Sequence, residues 1–141
     1  MVMSTQRADK GFTLIELLVA ITIFAVMAAI AAPNFQQYMQ QRRLNGAARQ
    51  VMSDLMAARM RAVNENSSVQ VVFLNDRQYQ IGGGATRDIQ TDYPGVTFSG
   101  AANPTFSPNG TATPTGGVTV NNASSTTRSV SVSMAGRVRI E

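Results

Sequence analysis

From residue 12 to residue 32 the chain is apolar at every position except Thr13, Glu16 and Thr22. As a helix rising 1.5 Å per residue, this run would span about 31 Å, close to the hydrocarbon thickness of a bilayer. It predicts a transmembrane helix. Pro33 follows directly, and a proline within a helix removes one hydrogen bond and crowds the preceding turn, so a kink is expected there, not a stop. Beyond it, residues 34–66 place Leu44, Ala48, Val51, Leu55, Ala58 and Ala62 at alternating spacings of four and three. That is an amphipathic stripe, and the opposite, wet face is expected to carry Arg42, Arg43, Arg49, Asp54, Arg59 and Arg61. Gly46 is the expected weak point of this helix, a site of local melting costing about 1 kcal/mol relative to Ala. Met52, Met56 and Met60, four apart, read as packing residues.

After Asn66 the period changes from 3.6 to 2. Residues 68–74 and 77–82, joined by Asn75 and Asp76, predict a β-hairpin. A Gly-rich connection over 82–94 reads as a flexible turn; Gly82-Gly83-Gly84 precedes neither a helix nor a Lys-Ser/Thr pair, so it is no phosphate loop. A short strand is expected at 96–99. Residues 101–115, rich in Asn, Pro, Thr and Gly, predict turns that contribute little to a core. Further strands are expected at 118–122 and 128–134, the latter alternating Val130, Val132 and Met134 with serines. Ala135-Gly136 then turns the chain into 137–140, with Val138 and Ile140 on one face and Arg137 and Arg139 on the other. The class is α+β: a long N-terminal helix, transmembrane in its first half, packed on a C-terminal antiparallel β-sheet domain.

Composition narrows the function. The chain has no Cys and no His, so thiolate and imidazole metal sites, disulfides and the common Ser/His or Cys/His catalytic pairs have no residues to build them. The carboxylates are scattered, with no close pair in an apolar setting suited to acid/base work. No enzyme activity, cofactor, metal or small-molecule substrate is expected. The net charge of +4 points to nucleic acid or an anionic membrane only where the charges cluster. In residues 34–66, five Arg face Asp54 and Glu65; a solvated helix face, contact with neighbouring subunits and nucleic-acid contact all fit this pattern.

Charge does not orient the apolar segment, since Arg7 and Lys10 precede it and Arg42 and Arg43 follow it. A secretory signal peptide competes with the membrane anchor, because residues 29–32 imitate a small-residue cleavage site, although the apolar run is longer than such signals use. The stretch Gly11-Phe12-Thr13-Leu14-Ile15-Glu16 resembles the class III signal of type IV pilins and type II secretion pseudopilins. The resemblance implies that residues 1–11 are a leader, that prepilin peptidase cuts after Gly11 on the cytoplasmic side, and that the new amine of Phe12 is methylated while the apolar helix is kept. A carboxylate at mid-membrane costs on the order of 2.5–3.5 kcal/mol, and less near an interface. At the start of a helix the macrodipole also favours negative charge. In the resemblance reading Glu16 pairs with the free amine of a neighbouring subunit and selects for docking in register; the alternative is an interfacial Glu that only snorkels.

The run Phe106-Ser107-Pro108-Asn109-Gly110 and the later stretch 128–139 resemble the C-terminal domain of GspH/FimT minor pilins and pseudopilins. The implied organisation is a leader (1–11), a transmembrane helix (12–32), the amphipathic half of the long helix (33–66) and a β-rich globular domain (67–141). The implied partners are other pilin or pseudopilin subunits, prepilin peptidase and the inner membrane, with the globular domain periplasmic. The implied function is assembly through the N-terminal helix into a type II secretion pseudopilus or a type IV pilus, in support of secretion or pilus biogenesis. Some minor pilins of this family bind DNA during natural transformation through a Gly-Arg-x-Arg ending, which Gly136-Arg137-Val138-Arg139 matches. That implies DNA contact at Arg137 and Arg139, with Arg128 nearby; charged residues that merely protect an edge strand are the alternative.

Overall fold

The structure, a computed structural model, describes residues 11–141; of the leader expected at 1–11, all but Gly11 lies outside the described residues. The described residues divide into two compact units, one ending at Gln36 and one of Gln37–Glu141. A single helix, α1 (Leu14–Asn64), contributes to both and runs unbroken through Pro33.

In the first unit the helix presents apolar side chains with no protein cover, Phe24 being 71% and Ile30 67% exposed. This stretch is long and apolar enough to cross a membrane. Its polar residues are satisfied locally. Thr22 Oγ1 donates to the carbonyl of Leu18 at 2.7 Å, so the hydroxyl needs no water.

In the second unit the rest of α1 lies against two antiparallel sheets. One is ordered β3-β2-β1-β5-β6, from β1 (Val69–Phe73), β2 (Gln78–Ile81), β3 (Arg87–Asp88), β5 (Thr105–Phe106) and β6 (Ala112–Thr113). The other is ordered β4-β7-β8-β9, from β4 (Thr97–Ser99), β7 (Gly116–Asn121), β8 (Thr127–Val132) and β9 (Val138–Ile140). The expected hairpin is β1-β2, with Val71 opposite Ile81 and Phe73 opposite Tyr79. Its turn closes because the Asn75 carboxamide oxygen accepts the backbone N–H groups of Arg77 and Gln78.

The apolar stripe of α1 is buried as its spacing demands, from Leu44 to Ala62. Its facing partners include Val69, Val71, Phe106, Val118, Val130 and Val138. Phe73, Tyr79 and Phe98 form a three-ring cluster with centroids 5.3–5.7 Å apart.

Four expectations are corrected. Asp54 belongs to the buried face, not the wet one. Met56 and Met60 do not pack but stand 39% and 64% exposed. Helix α1 does not melt at Gly46: the Tyr93 ring lies where a side chain would be, and a Cβ built there would fall 2.4 Å from Cε1 of that ring. The segments read as coreless turns also carry structure. Residues 82–94 hold β3 and a short 3-10 helix (Ile89–Thr91) capped by Asp88, residues 101–115 hold β5 and β6, and Ile89, Phe106 and Ala112 are core residues. Two-residue strands leave no period to read in a sequence, and their pairing with neighbouring strands defines them.

Candidate functional site

At the N-terminus Gly11 and Phe12 are exposed, Phe12 to 88%. Thr13 precedes the first helical residue, and Glu16 is the third residue of the helix. The Thr13 hydroxyl accepts the Glu16 N–H at 3.2 Å. The Glu16 carboxylate in turn accepts the Thr13 N–H and hydroxyl, each at 3.4 Å. This is a capping box, in which two helix-terminal donors are satisfied reciprocally. The signal was present in the sequence as Thr-x-x-Glu ahead of an apolar run. It gives Glu16 a local partner within its own chain.

At the other end, β9 is an edge strand of its sheet. Its approach is held by close packing. Gly136, at φ +69, sits against the Gly110 carbonyl so tightly that a Cβ would fall 2.0 Å from that oxygen. Arg59 of α1 donates from Nε to the same carbonyl at 2.9 Å and from Nη2 to the Ala135 carbonyl at 3.4 Å. One helix guanidinium thus ties the Ser107–Gly110 turn to the Ser133–Gly136 turn, each of which closes on a glycine of positive φ.

Arg137 and Arg139 are exposed, flank buried Val138, and Arg139 stands opposite Ser131. The expectation that Arg128 joins them is corrected. It shares the parity of buried Val130 and Val132, so it points to the helix side and donates from Nε to Asn45 Oδ1 at 3.2 Å. The neighbour of Arg139 is instead an acid: Ser131 Oγ donates to Glu141 Oε1 at 3.2 Å.

A third constellation was missed in the sequence. Asp54 accepts Arg87 Nη1 on both oxygens, at 2.8 and 2.7 Å, and also accepts the Tyr79 hydroxyl, with Gln50 Nε2 at 3.3 Å. Burial, then the Asp54 carboxylate, pushes the Tyr79 hydroxyl well above its ordinary range. The hydrogen bond and charge of Asp54 raise Arg87 as well. The available signal was position: Asp54 falls at i+3 from Val51 and i−4 from Ala58, inside the apolar stripe. Their geometry is that of a clamp joining α1 to β2 and β3.

Comparison with known proteins follows these features. Residues 6–32 match the prokaryotic N-terminal methylation motif, and residues 47–136 match the family described as type II transport protein GspH. A fimbrial protein of Pseudomonas aeruginosa is 36% identical over 76 residues, covering 54% of this chain and 49% of that protein. The type IV wide pilus major component PilA4 of Thermus thermophilus is 40% identical over 70 residues, covering 50% of this chain and 36% of that protein. The chain therefore spans about half or less of the length of these relatives. In fold it is similar to the type IV minor pilin FimU of Pseudomonas aeruginosa, with a TM-score of 0.60 at 22% identity over 74% of this chain and 92% of that one. A methylation-motif helix followed by a matching β-rich unit places the chain in the GspH family of type IV pilin-like minor pilins and pseudopilins.

Proposed function

We propose that the chain is a minor pilin or pseudopilin that enters a type II secretion pseudopilus or a type IV pilus through its N-terminal helix. The observation that carries this reading is an uncovered apolar helix headed by the Thr13–Glu16 box. Such a surface needs lipid before assembly and neighbouring helices after it. Prepilin peptidase cleaves after Gly11 and methylates Phe12, the inner membrane holds residues 12–32, and the globular unit faces the periplasm. Pro33 has no N–H for the Ala29 carbonyl, so the helix bends there most easily.

Mass spectrometry of the full chain co-expressed with a prepilin peptidase tests the processing step. The expected mature N-terminus is Phe12 carrying one added methyl group. A chain cut within 29–32, or left uncut, rejects this reading.

A DNA-binding role at a pilus tip, in natural transformation, is the second reading. It is favoured by the exposure of Arg139 on an edge strand and of Arg137 directly before it, beside a firmly held glycine turn. Phosphate contacts release counterions, so each arginine would contribute about 0.9 to the salt slope of duplex binding. Replacing both with Ala is expected to lower that slope by about 2. An unchanged slope, or no binding by the wild type, removes the DNA role from this edge.

A further inference from the structure

The strongest uncommitted feature of the globular unit is a cleft of about 610 Å³ between the first helical turns after Gln37 and the segment around Tyr93. Tyr38, Arg42, Gly46 and Arg49 recur at helical spacing and share one side of α1. The bare Gly46 lets the Tyr93 ring lie against the helix as the floor. Arg43 and Asp92 also line the space. Asn45 and Arg49 also border a second cavity of about 310 Å³ beside Arg128 and Ile140, so Arg49 stands between this groove and a neighbouring hollow.

Among the described residues, Arg42, Arg43 and Arg49 have no carboxylate within salt-bridge distance. Arg43 has only a 3.5 Å contact with the Pro94 carbonyl. Among the other described carboxylates, Asp54 pairs with Arg87, Glu65 with Arg61 and Asp76 with Arg77, while Asp88 bonds Gln78 and the 3-10 helix, Glu16 caps α1 and Glu141 accepts the Ser131 hydroxyl. A chain of net charge +4, whose one pair of carboxylates four residues apart, Asp88 and Asp92, caps a 3-10 helix instead of lying in an extended segment, is a poor complement to this groove, so a second copy is disfavoured.

We infer that this groove receives an extended acidic segment of a different filament subunit. The inference rests on the filament-subunit reading above. Arg42 and Arg49 are about 10 Å apart along the helix axis, the length of about three residues of extended chain. A segment with carboxylates three or four residues apart fits both guanidiniums, and Arg forks bind carboxylates bidentately. Tyr, Arg and Met are the side chains enriched at protein interfaces, and Tyr and Arg dominate binding hot spots. Tyr38, Met39, Tyr93 and the arginines supply this mixture. Asp92 distinguishes a peptide from a nucleic-acid strand. A carboxylate inside the groove opposes a continuous run of phosphates, whereas it can accept a backbone N–H of a bound peptide.

The test uses the full chain in detergent micelles and a fluorescent ten-residue polyglutamate peptide. Binding is expected to weaken with salt. Arg42→Glu with Arg49→Glu should weaken it by about tenfold or more, while Arg77→Glu, paired elsewhere with Asp76, leaves it unchanged. Both groove arginines are exposed, so circular dichroism should be the same in all variants. In cells, a photo-crosslinking side chain at Tyr38 is expected to capture an acidic segment of another pilin-like subunit. Equal peptide binding by wild type and the double variant overturns the inference. So does tighter binding of a ten-nucleotide oligo(dT) through the same arginines, or crosslinking to a second copy alone. A double variant that is processed and co-purifies with the filament as the wild type does rejects the groove and leaves the filament reading intact. A wild-type chain that never co-purifies rejects both.

Discussion

Replacing Glu16 with Gln is expected to keep the helix start and abolish assembly. The two roles open to this residue make opposite demands on its side chain. As the acceptor of the Thr13 N–H and hydroxyl it needs only an oxygen, which Gln supplies; capping boxes accept either residue. As the partner of a neighbouring subunit's amine at Phe12 it needs the negative charge. A desolvated amine left without its counter-charge is strongly disfavoured. Co-purification with filament subunits should therefore fall by about tenfold or more in both Glu16→Gln and Glu16→Ala, with membrane insertion unchanged. If Gln restores assembly and Ala does not, Glu16 acts only as a cap, and the register-selecting role is withdrawn. The Thr13 contacts use only part of the acceptor capacity of the carboxylate, so the cap does not bar the amine pairing that the Gln variant tests.

The second large effect is on stability. Asp54→Ala should destabilise the globular unit by about 3 kcal/mol. The loss leaves the buried Tyr79 hydroxyl without its acceptor, a cost of about 1–3 kcal/mol. It also strands Arg87, whose side chain is 50% exposed and therefore partly rehydrated, which keeps the total at the lower end of the 3–5 kcal/mol typical of a broken buried pair. For a unit of this size, this corresponds to a fall in Tm of about 10–20 °C, read by thermal unfolding.

Tyr79→Phe separates the components. It should cost about 1 kcal/mol at neutral pH and change the alkaline limb. Because the folded state holds the Tyr79 proton more tightly than the unfolded state, whose tyrosine ionises near 10.0, this group's contribution is complete below that pH. It is then lost progressively as pH rises toward the higher folded value. Wild type should lose stability above about pH 10 more steeply than Tyr79→Phe. Parallel alkaline limbs would show that the hydroxyl is not held as the geometry implies.

The N-terminal half was legible because its information is local. Twenty-odd apolar residues and one acid in the first turn act through neighbours within one helix, where sequence distance and spatial distance coincide. The amphipathic stripe from Leu44 to Ala62 and the β1-β2 and β8-β9 hairpins were legible for the same reason. The remaining features depend on residues far apart in the chain.

Asp54 looked like a surface acid until Tyr79 and Arg87, 25 and 33 positions away, supplied the donors that allow a charge to be buried. Gly46 looked like a helix defect until Tyr93 filled the space over it. Arg59 could not be read as the tie between two turns, because Gly110 and Ala135 are 51 and 76 positions distant. Arg128 parted from Arg137 and Arg139 because strand parity turned it toward the helix. The sequence alone determined that this protein has a long apolar helix with an acid in its first turn, followed by β structure. Only the tertiary structure decided which charges are locked inside and which remain free for a partner, because desolvation and pairing are properties of the packed chain.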